Sequence, residues 1–89
     1  MKTVKRTSRF EKDIKKMGRR GKSFVVLKQI IEALKDDVTL DSKFKDHKLV
    51  GKYVNTRECH IEPDWLLIYI SNANELILVR TGSHADLFG

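Results

Sequence analysis

Three histidines, His47, His60 and His84, all lie in the C-terminal half of this 89-residue chain. An imidazole has a pKa near ~6.5, so histidines can share the roles of base and acid at neutral pH without a metal. Arg80 and Asp64 occur in the same half, and a guanidinium could stabilise negative charge that develops in a transition state. These five residues are therefore candidates for an acid–base site.

RNA is a substrate that would use such groups, because it carries its own nucleophile. A base removes the proton of the 2′-hydroxyl, the oxygen attacks the adjacent phosphate in line, and an acid protonates the departing 5′-oxygen. Trp65 and Phe88 could stack on the bases of a single strand. Two structural alternatives stay open at this point: Trp65 as a core residue at a strand edge, and Asp64 as a residue that only shapes a turn.

Charge divides the chain into two unequal halves. Residues 1–52 carry sixteen lysines and arginines against seven acidic residues, whereas residues 53–89 carry two against five. A basic half favours a polyanionic partner, since each cation placed near a phosphate releases counterions. A basic surface that only keeps the protein in solution would give the same count, so charge suggests nucleic acid without identifying it.

The sequence indicates no cofactor and no membrane segment. A zinc site formed by His47, His60, His84 and Asp64 is chemically possible, but these residues lack the short spacing typical of such sites. The one cysteine, Cys59, cannot form an internal disulfide and is expected on the core face without a chemical role. There is no signal-peptide pattern and no apolar run of ~20 residues, so we expect a cytoplasmic protein.

The elements that must position the candidate residues form a single domain, residues 1–89. Residues 2–6 are typical of a short strand. A first helix is predicted over 8–17, with Ser8 as N-cap and Glu11 completing a capping box. A second helix, from Ser23 to Asp36 or Asp37, carries one apolar stripe: Phe24, Leu27, Ile30, Ile31 and Leu34. The two helices should pack as an antiparallel pair.

The C-terminal half predicts an antiparallel meander. Strand patterns occupy 56–61, 65–70 and 75–80, preceded by a long ordered loop over 38–54 and followed by a helical turn that starts at Ser83. Two three-residue turns would pair Ile61 with Trp65 and Ser71 with Glu75. That register predicts two faces. The core face would carry Cys59, Ile61, Leu67, Tyr69, Ile77 and Val79. The opposite face would carry Glu58, His60, Leu66, Ile68, Leu78 and Arg80, with His60, Leu66 and Arg80 in one row and Glu58 as a solvated charge.

Three segments, KDHKLVGKY, RECHIEPDWLLIYI and LVRTGSHADLF, resemble the YafQ branch of the RelE/ParE superfamily of bacterial toxins. The resemblance covers residues 45–89 closely. It implies a RelE-like α+β fold: a short first strand, two antiparallel helices, then a three-stranded antiparallel meander with a short C-terminal helical turn. It also implies a ribosome-dependent mRNA endonuclease that acts in the ribosomal A site without a metal or other cofactor.

The resemblance further implies roles for residues and partners. His47, His60, Asp64 and His84 would form the acid–base set, with His84 favoured as general acid. Three other residues complete the implied site: Arg80 as the transition-state cation, and Trp65 and Phe88 as substrate contacts. The implied partners are a DinJ- or RelB-like antitoxin, the ribosome and mRNA, and promoter DNA bound through the antitoxin complex.

Two other functions are compatible with this fold. A ParE-like toxin that inhibits gyrase would share the architecture but not the histidine cluster. A basic RNA-binding module without catalytic turnover would use the charge and the aromatic residues alone. The three histidines argue against the gyrase inhibitor, and the RNA-binding module stays open.

Overall fold

A five-stranded sheet carries two helices on one face and a short C-terminal helix near the other in the computed structural model, which describes all 89 residues. The elements are β1 (Thr3–Arg6), α1 (Ser8–Arg19), α2 (Val25–Lys35), β2 (His47–Lys48), β3 (Arg57–Glu62), β4 (Trp65–Ser71), β5 (Glu75–Gly82) and α3 (His84–Phe88). Single 3₁₀ turns lie at Ser42–Phe44 and Gly51–Tyr53. The strand order is β1-β5-β4-β3-β2. The α+β class predicted from the sequence is confirmed.

The two long helices form where the apolar periodicity predicts them. α1 buries Phe10 and Met17, and α2 buries Leu27, Ile30 and Leu34. The predicted cap of α1 is wrong by one residue. Thr7, not Ser8, is the N-cap, and its hydroxyl accepts a hydrogen bond from the backbone N–H of Phe10 at 3.0 Å.

The first strand and the long loop contribute more to the sheet than the sequence indicates. β1 pairs with β5 in parallel, while all other neighbours are antiparallel. Within the predicted loop, His47 and Lys48 form the edge strand β2 against β3. A two-residue strand is too short to show an alternating pattern, which is why only the ladder identifies it.

The predicted register is correct through most of the first hairpin. His60 pairs with Leu66, as expected, but the turn itself contains only two residues because Ile61 is an extra residue on β3 and Glu62 pairs with Trp65. A bulge of this kind shifts the ladder by one residue on one strand only. The side chain of His60 therefore stays on the predicted face.

The second hairpin corrects the predicted register. Arg80 pairs with Ile68 rather than Leu66, and Val79 has no partner because the ladder shifts between Ile68 and Tyr69. Residues before this bulge therefore face opposite to the prediction. Leu76 and Leu78 are buried in the core, in place of the predicted Ile77 and Val79. Arg80, beyond the bulge, lies on the predicted face with His60.

Two apolar clusters hold these layers together. The main cluster fills the space between the sheet and α1 and α2, and it contains Cys59 and Trp65. A smaller cluster of Leu66, Ile68 and Leu87 fixes α3 to the other face of the sheet. Burial raises the pKa of the Cys59 thiol to about 12, which agrees with a core residue. None of the helices has the length and apolar character needed to span a membrane.

Candidate active site

The three histidines form a row across one end of the sheet, although they come from three separate segments. His47 lies in β2, His60 in β3 and His84 at the start of α3. The ring centroids of His47 and His60 are 6.1 Å apart, and those of His60 and His84 are 5.8 Å apart. A single phosphodiester placed on this row could contact more than one imidazole.

A buried carboxylate joins the first two histidines. Glu58 Oε1 lies 3.4 Å from His47 Nε2 and 3.3 Å from His60 Nε2, and the Glu58 side chain is only 6% exposed. His47 Nδ1 lies 2.6 Å from the carbonyl oxygen of Lys45, which can only accept, so Nδ1 carries a proton. Nε2 then faces an anionic oxygen, which is favourable when that nitrogen is also protonated or when a metal ion lies between them.

His84 is oriented by Asp64 from the turn between β3 and β4. Asp64 Oδ1 accepts hydrogen bonds from the backbone N–H of His84 at 2.9 Å and from its Nδ1 at 2.6 Å. These two bonds lower the pKa of Asp64, the backbone bond contributing most. Since Nδ1 carries the shared proton, Nε2 lies outside this hydrogen bond. Asp64 therefore does more than shape the turn.

Arg80 is held in a nearly buried ion pair on the face of the sheet that carries His60. Its Nε and Nη2 donate to the carboxylate of Asp13 on α1 at 2.7 and 3.1 Å, and Nη1 donates to the hydroxyl of Tyr53 at 3.2 Å. The hydrogen bonds that Arg80 donates to Asp13 raise the pKa of the guanidinium. Asp13 also accepts from the backbone N–H of Thr81 at 3.1 Å, so it fixes the end of β5 together with the guanidinium.

A second ion pair ties α3 to α1. Asp86 accepts from Arg20 Nη1 at 2.6 Å, from Arg20 Nη2 at 2.9 Å and from Lys16 Nζ at 3.0 Å. It also completes a capping box with Ser83, the N-cap of α3. The bonds from Arg20 hold the pKa of Asp86 well below its usual range. This tether sets the position of His84 on the same short helix.

The two predicted substrate contacts differ in outcome. Trp65 is fully buried: its Nε1 donates to Thr81 Oγ1 at 2.9 Å and its ring packs edge-on against Phe24. The predicted stacking of Trp65 on a base is therefore wrong, because no face of the ring is accessible. Phe88 is 49% exposed, with its centroid 6.5 Å from that of His84.

Glu58 and Asp13 are the site residues that the sequence interpretation missed. Glu58 was expected to be solvated, but it shares the face and the alternation of His60, two residues away, and that spacing was a usable signal. Asp13 lies between Phe10 and Met17 on the buried stripe of α1. A carboxylate on an apolar stripe needs a buried partner, which Arg80 supplies.

One group of side chains in this site could hold a metal ion. The ligand atoms of His47, Glu58 and His60 lie within 4.8 Å of one another. This set differs from the one considered from the sequence, because Glu58 replaces Asp64 and His84, which bond to each other. Two imidazoles and a carboxylate suit a zinc or copper ion.

Fold and site together define a small α+β domain with a histidine row on its sheet. The family model described as the bacterial toxin of type II toxin–antitoxin systems, YafQ, matches residues 2–89. The chain belongs to the YafQ family.

Several known proteins are similar to this chain in sequence or structure over nearly its whole length. The mRNA interferase toxin YafQ of Escherichia coli is 37% identical over 87 residues, covering 97% of this chain and 95% of that protein. YafQ in the E. coli DinJ–YafQ toxin–antitoxin complex superposes with a TM-score of 0.91 at 36% identity, covering 99% and 98% of the two chains. A copper-bound mutant toxin from Helicobacter pylori superposes with a TM-score of 0.94 at 42% sequence identity, and the match covers 99% of this chain and 100% of that chain.

Proposed function

We propose that this protein is the toxin of a type II toxin–antitoxin system and an mRNA interferase, an endoribonuclease that cleaves translated mRNA in the ribosomal A site. The observation that carries the proposal is the row of three imidazoles on the same face as Arg80. Membership of the YafQ family and 37% identity to an mRNA interferase support it. A ParE-like gyrase inhibitor has no use for this row.

The chemistry assigned to the site is 2′-hydroxyl attack with paired proton transfers. His84, held through Nδ1 by Asp64, presents Nε2 to the scissile phosphate and, as an imidazolium with a proton on each nitrogen, protonates the departing 5′-oxygen from Nε2. The base that accepts the 2′-proton comes from the group formed by His47, His60 and Glu58. Arg80 stabilises the charge on the phosphorane, a role in which one donor is typically worth ~3 kcal/mol.

The partners follow from the proposed activity. The toxin in the similar DinJ–YafQ complex has an antitoxin partner, and we infer a DinJ- or RelB-like antitoxin for this chain. That antitoxin would silence the toxin in the cytoplasm and mediate binding of the complex to promoter DNA. The excess of cations in residues 1–52 would hold mRNA and ribosomal RNA.

Primer extension on programmed ribosomes tests the proposal. Wild-type protein should give cuts in phase with the reading frame, and His84→Ala should lose them. Glu32→Ala, on the exposed surface of α2, is the control and should cut like wild type. Cuts on naked RNA without ribosomes, or equal cutting by His84→Ala, would contradict the mechanism. Inhibition of gyrase supercoiling that survives His84→Ala would support the ParE-like alternative instead.

Metal binding is a second candidate property, favoured by the close packing of His47, Glu58 and His60. The copper-bound and metal-bound toxins from H. pylori are similar structures that support it. Titration calorimetry with Cu²⁺ should show one site per chain, weakened at least tenfold by Glu58→Gln and unchanged by Glu62→Gln on the same strand. Because the proposed cleavage needs no metal, activity should persist in a chelator; its loss there would assign the metal a catalytic role.

A further inference from the structure

Tyr53 is an aromatic residue at the site to which the proposed chemistry gives no role. It ends the 3₁₀ turn Gly51–Tyr53, and its hydroxyl accepts a hydrogen bond from Arg80 Nη1 at 3.2 Å. Its ring meets that of Phe88 with centroids 5.7 Å apart and planes at 88°. Since Trp65 is buried, these two rings are the aromatic surfaces next to the histidine row.

Two rings at a right angle form a corner rather than a slot. Phe88 is the more exposed ring, at 49%, while Tyr53 is half-buried against the small cluster under α3. Lys52 Nζ lies 5.5 Å from the centroid of the Tyr53 ring. A flat group that stacks on Phe88 would therefore meet Tyr53 at its edge, with one cation nearby for an adjacent phosphate.

The position of this corner relates it to the scissile phosphate. Tyr53 contacts Arg80, the cation assigned to that phosphate, and Phe88 lies beside His84, the assigned acid. A nucleotide carries its base one sugar away from its phosphate. A base next to the cleaved bond would thus fall at the rings when the phosphate lies between Arg80 and His84.

We propose that Tyr53 is a substrate-binding residue, which forms with Phe88 a corner for one nucleobase next to the cleaved phosphate. The inference rests on the proposed function, since it takes RNA as the ligand. It adds a binding role for the Tyr53 ring and a positioning role for its hydroxyl, which orients Arg80. A tyrosine that only packs on the small cluster would have neither role.

A test that does not depend on cleavage is an NMR titration of the whole wild-type protein. The probe is a short oligoribonucleotide in which every 2′-hydroxyl is methylated, so that no nucleophile is present. Ring protons of Phe88 should shift upfield and saturate, as stacking on a base requires, and those of Tyr53 should shift along the same saturation curve. Saturation of other resonances without movement of these ring protons, or no binding at all, would overturn the proposal.

Variants separate the ring from the hydroxyl. Tyr53→Leu should weaken binding of the probe roughly fivefold or more. Tyr53→Phe should bind it within about twofold of wild type, yet lower kcat on programmed ribosomes roughly three- to tenfold with KM little changed, because Arg80 loses a hydrogen bond. Val54→Ala, an exposed neighbour, is the control. Wild-type values for both tyrosine variants would refute the inference.

The two proposals fail in distinguishable ways. Ring-proton shifts without any codon-phased cleavage would leave the corner standing and remove the nuclease. Cleavage that is unaffected by Tyr53→Leu would leave the nuclease standing and remove the corner. If Tyr53→Leu does not fold, the ring-proton shifts of the wild-type protein and the kinetics of Tyr53→Phe still decide the question.

Discussion

Replacing Asp13 by asparagine should break the ion pair that holds Arg80, while the side chain at position 13 keeps almost the same shape. Asp13 Oδ2 accepts from Arg80 Nε and from the backbone N–H of Thr81, and Oδ1 accepts from Arg80 Nη2. The less harmful orientation of the asparagine amide puts its NH₂ group in the place of Oδ1. Even there, the NH₂ donor faces the Nη2 donor of Arg80, and no hydrogen bond can form between them. The other orientation loses two hydrogen bonds instead of one.

The magnitude follows from how little of the pair is exposed. The side chains of Arg80 and Asp13 are 12% and 10% exposed, so water cannot replace the lost bonds. Removal of one partner from a buried pair costs 3–5 kcal/mol, and we take the lower end, about 3 kcal/mol, because the isosteric amide keeps some contacts. For a domain of this size, that corresponds to a fall in Tm of about 12–24 °C.

Thermal and urea unfolding followed by circular dichroism measure this loss. Glu11→Gln is the matched control on the same helix, because its contact with Arg6 is long, at 4.0 Å, and both side chains are more than half exposed. It should change the free energy of unfolding by less than about 0.5 kcal/mol. A value for Asp13→Asn within about 1 kcal/mol of wild type would refute the assignment of a buried, structurally required pair.

The same substitution should affect catalysis at temperatures where the variant stays folded. Arg80 keeps its charge in Asp13→Asn but loses the contacts that fix its direction. Displacement of a catalytic group by about 1 Å can cost roughly 100-fold in rate. We expect kcat on programmed ribosomes to fall tenfold or more while Glu11→Gln remains at the wild-type rate. Equal rates would show that Asp13 stabilises the fold without positioning Arg80.

Three further predictions concern the other carboxylates and the turn into α3. Glu58→Gln should keep the fold and lower kcat roughly 100-fold or more, measured beside Glu62→Gln. The pKa of Asp86 lies below its usual value, so the ionised carboxylate should stabilise α3 fully above pH ~4 and progressively less as the pH falls further. Protection of the α3 amides from hydrogen exchange should decrease over that pH range. In Asp86→Asn this pH dependence should be absent. Gly82→Ala would place a Cβ 2.9 Å from Asp86 Oδ2 at a φ of +156° and should cost about 1–3 kcal/mol; a wild-type Tm would contradict this.

Strong periodicity made the main elements predictable from sequence. The apolar stripe through Leu27, Ile30 and Leu34 predicted a helix that packs on the core, and all three are buried. The turn residues around Pro63 likewise marked the end of a strand. Such local patterns report which face of an element is apolar, and packing then follows from burying that face.

The bulge at Val79 was not predictable in the same way. Leu76, Leu78 and the residues between and after them are nearly all apolar, so either register yields an acceptable core on paper. The extra residue is selected by β1, which pairs with β5 only as far as Leu78, and by Asp13, which then binds the N–H of Thr81. Both contacts join β5 to residues far away in the sequence, so the pattern of apolar residues within β5 cannot predict them.

The charged groups of the candidate site are largely paired with one another. Arg80 is paired with Asp13, His84 with Asp64, and Glu58 with the two remaining histidines. With neutral imidazoles this group holds one positive charge against three negative ones, so it would not attract a phosphate by itself. Attraction must come from the surrounding lysines and arginines, and it should weaken with salt. A phosphate that does bind favours protonated imidazoles, and protonated imidazoles favour the phosphate, so substrate binding itself would supply the acid that cleavage requires.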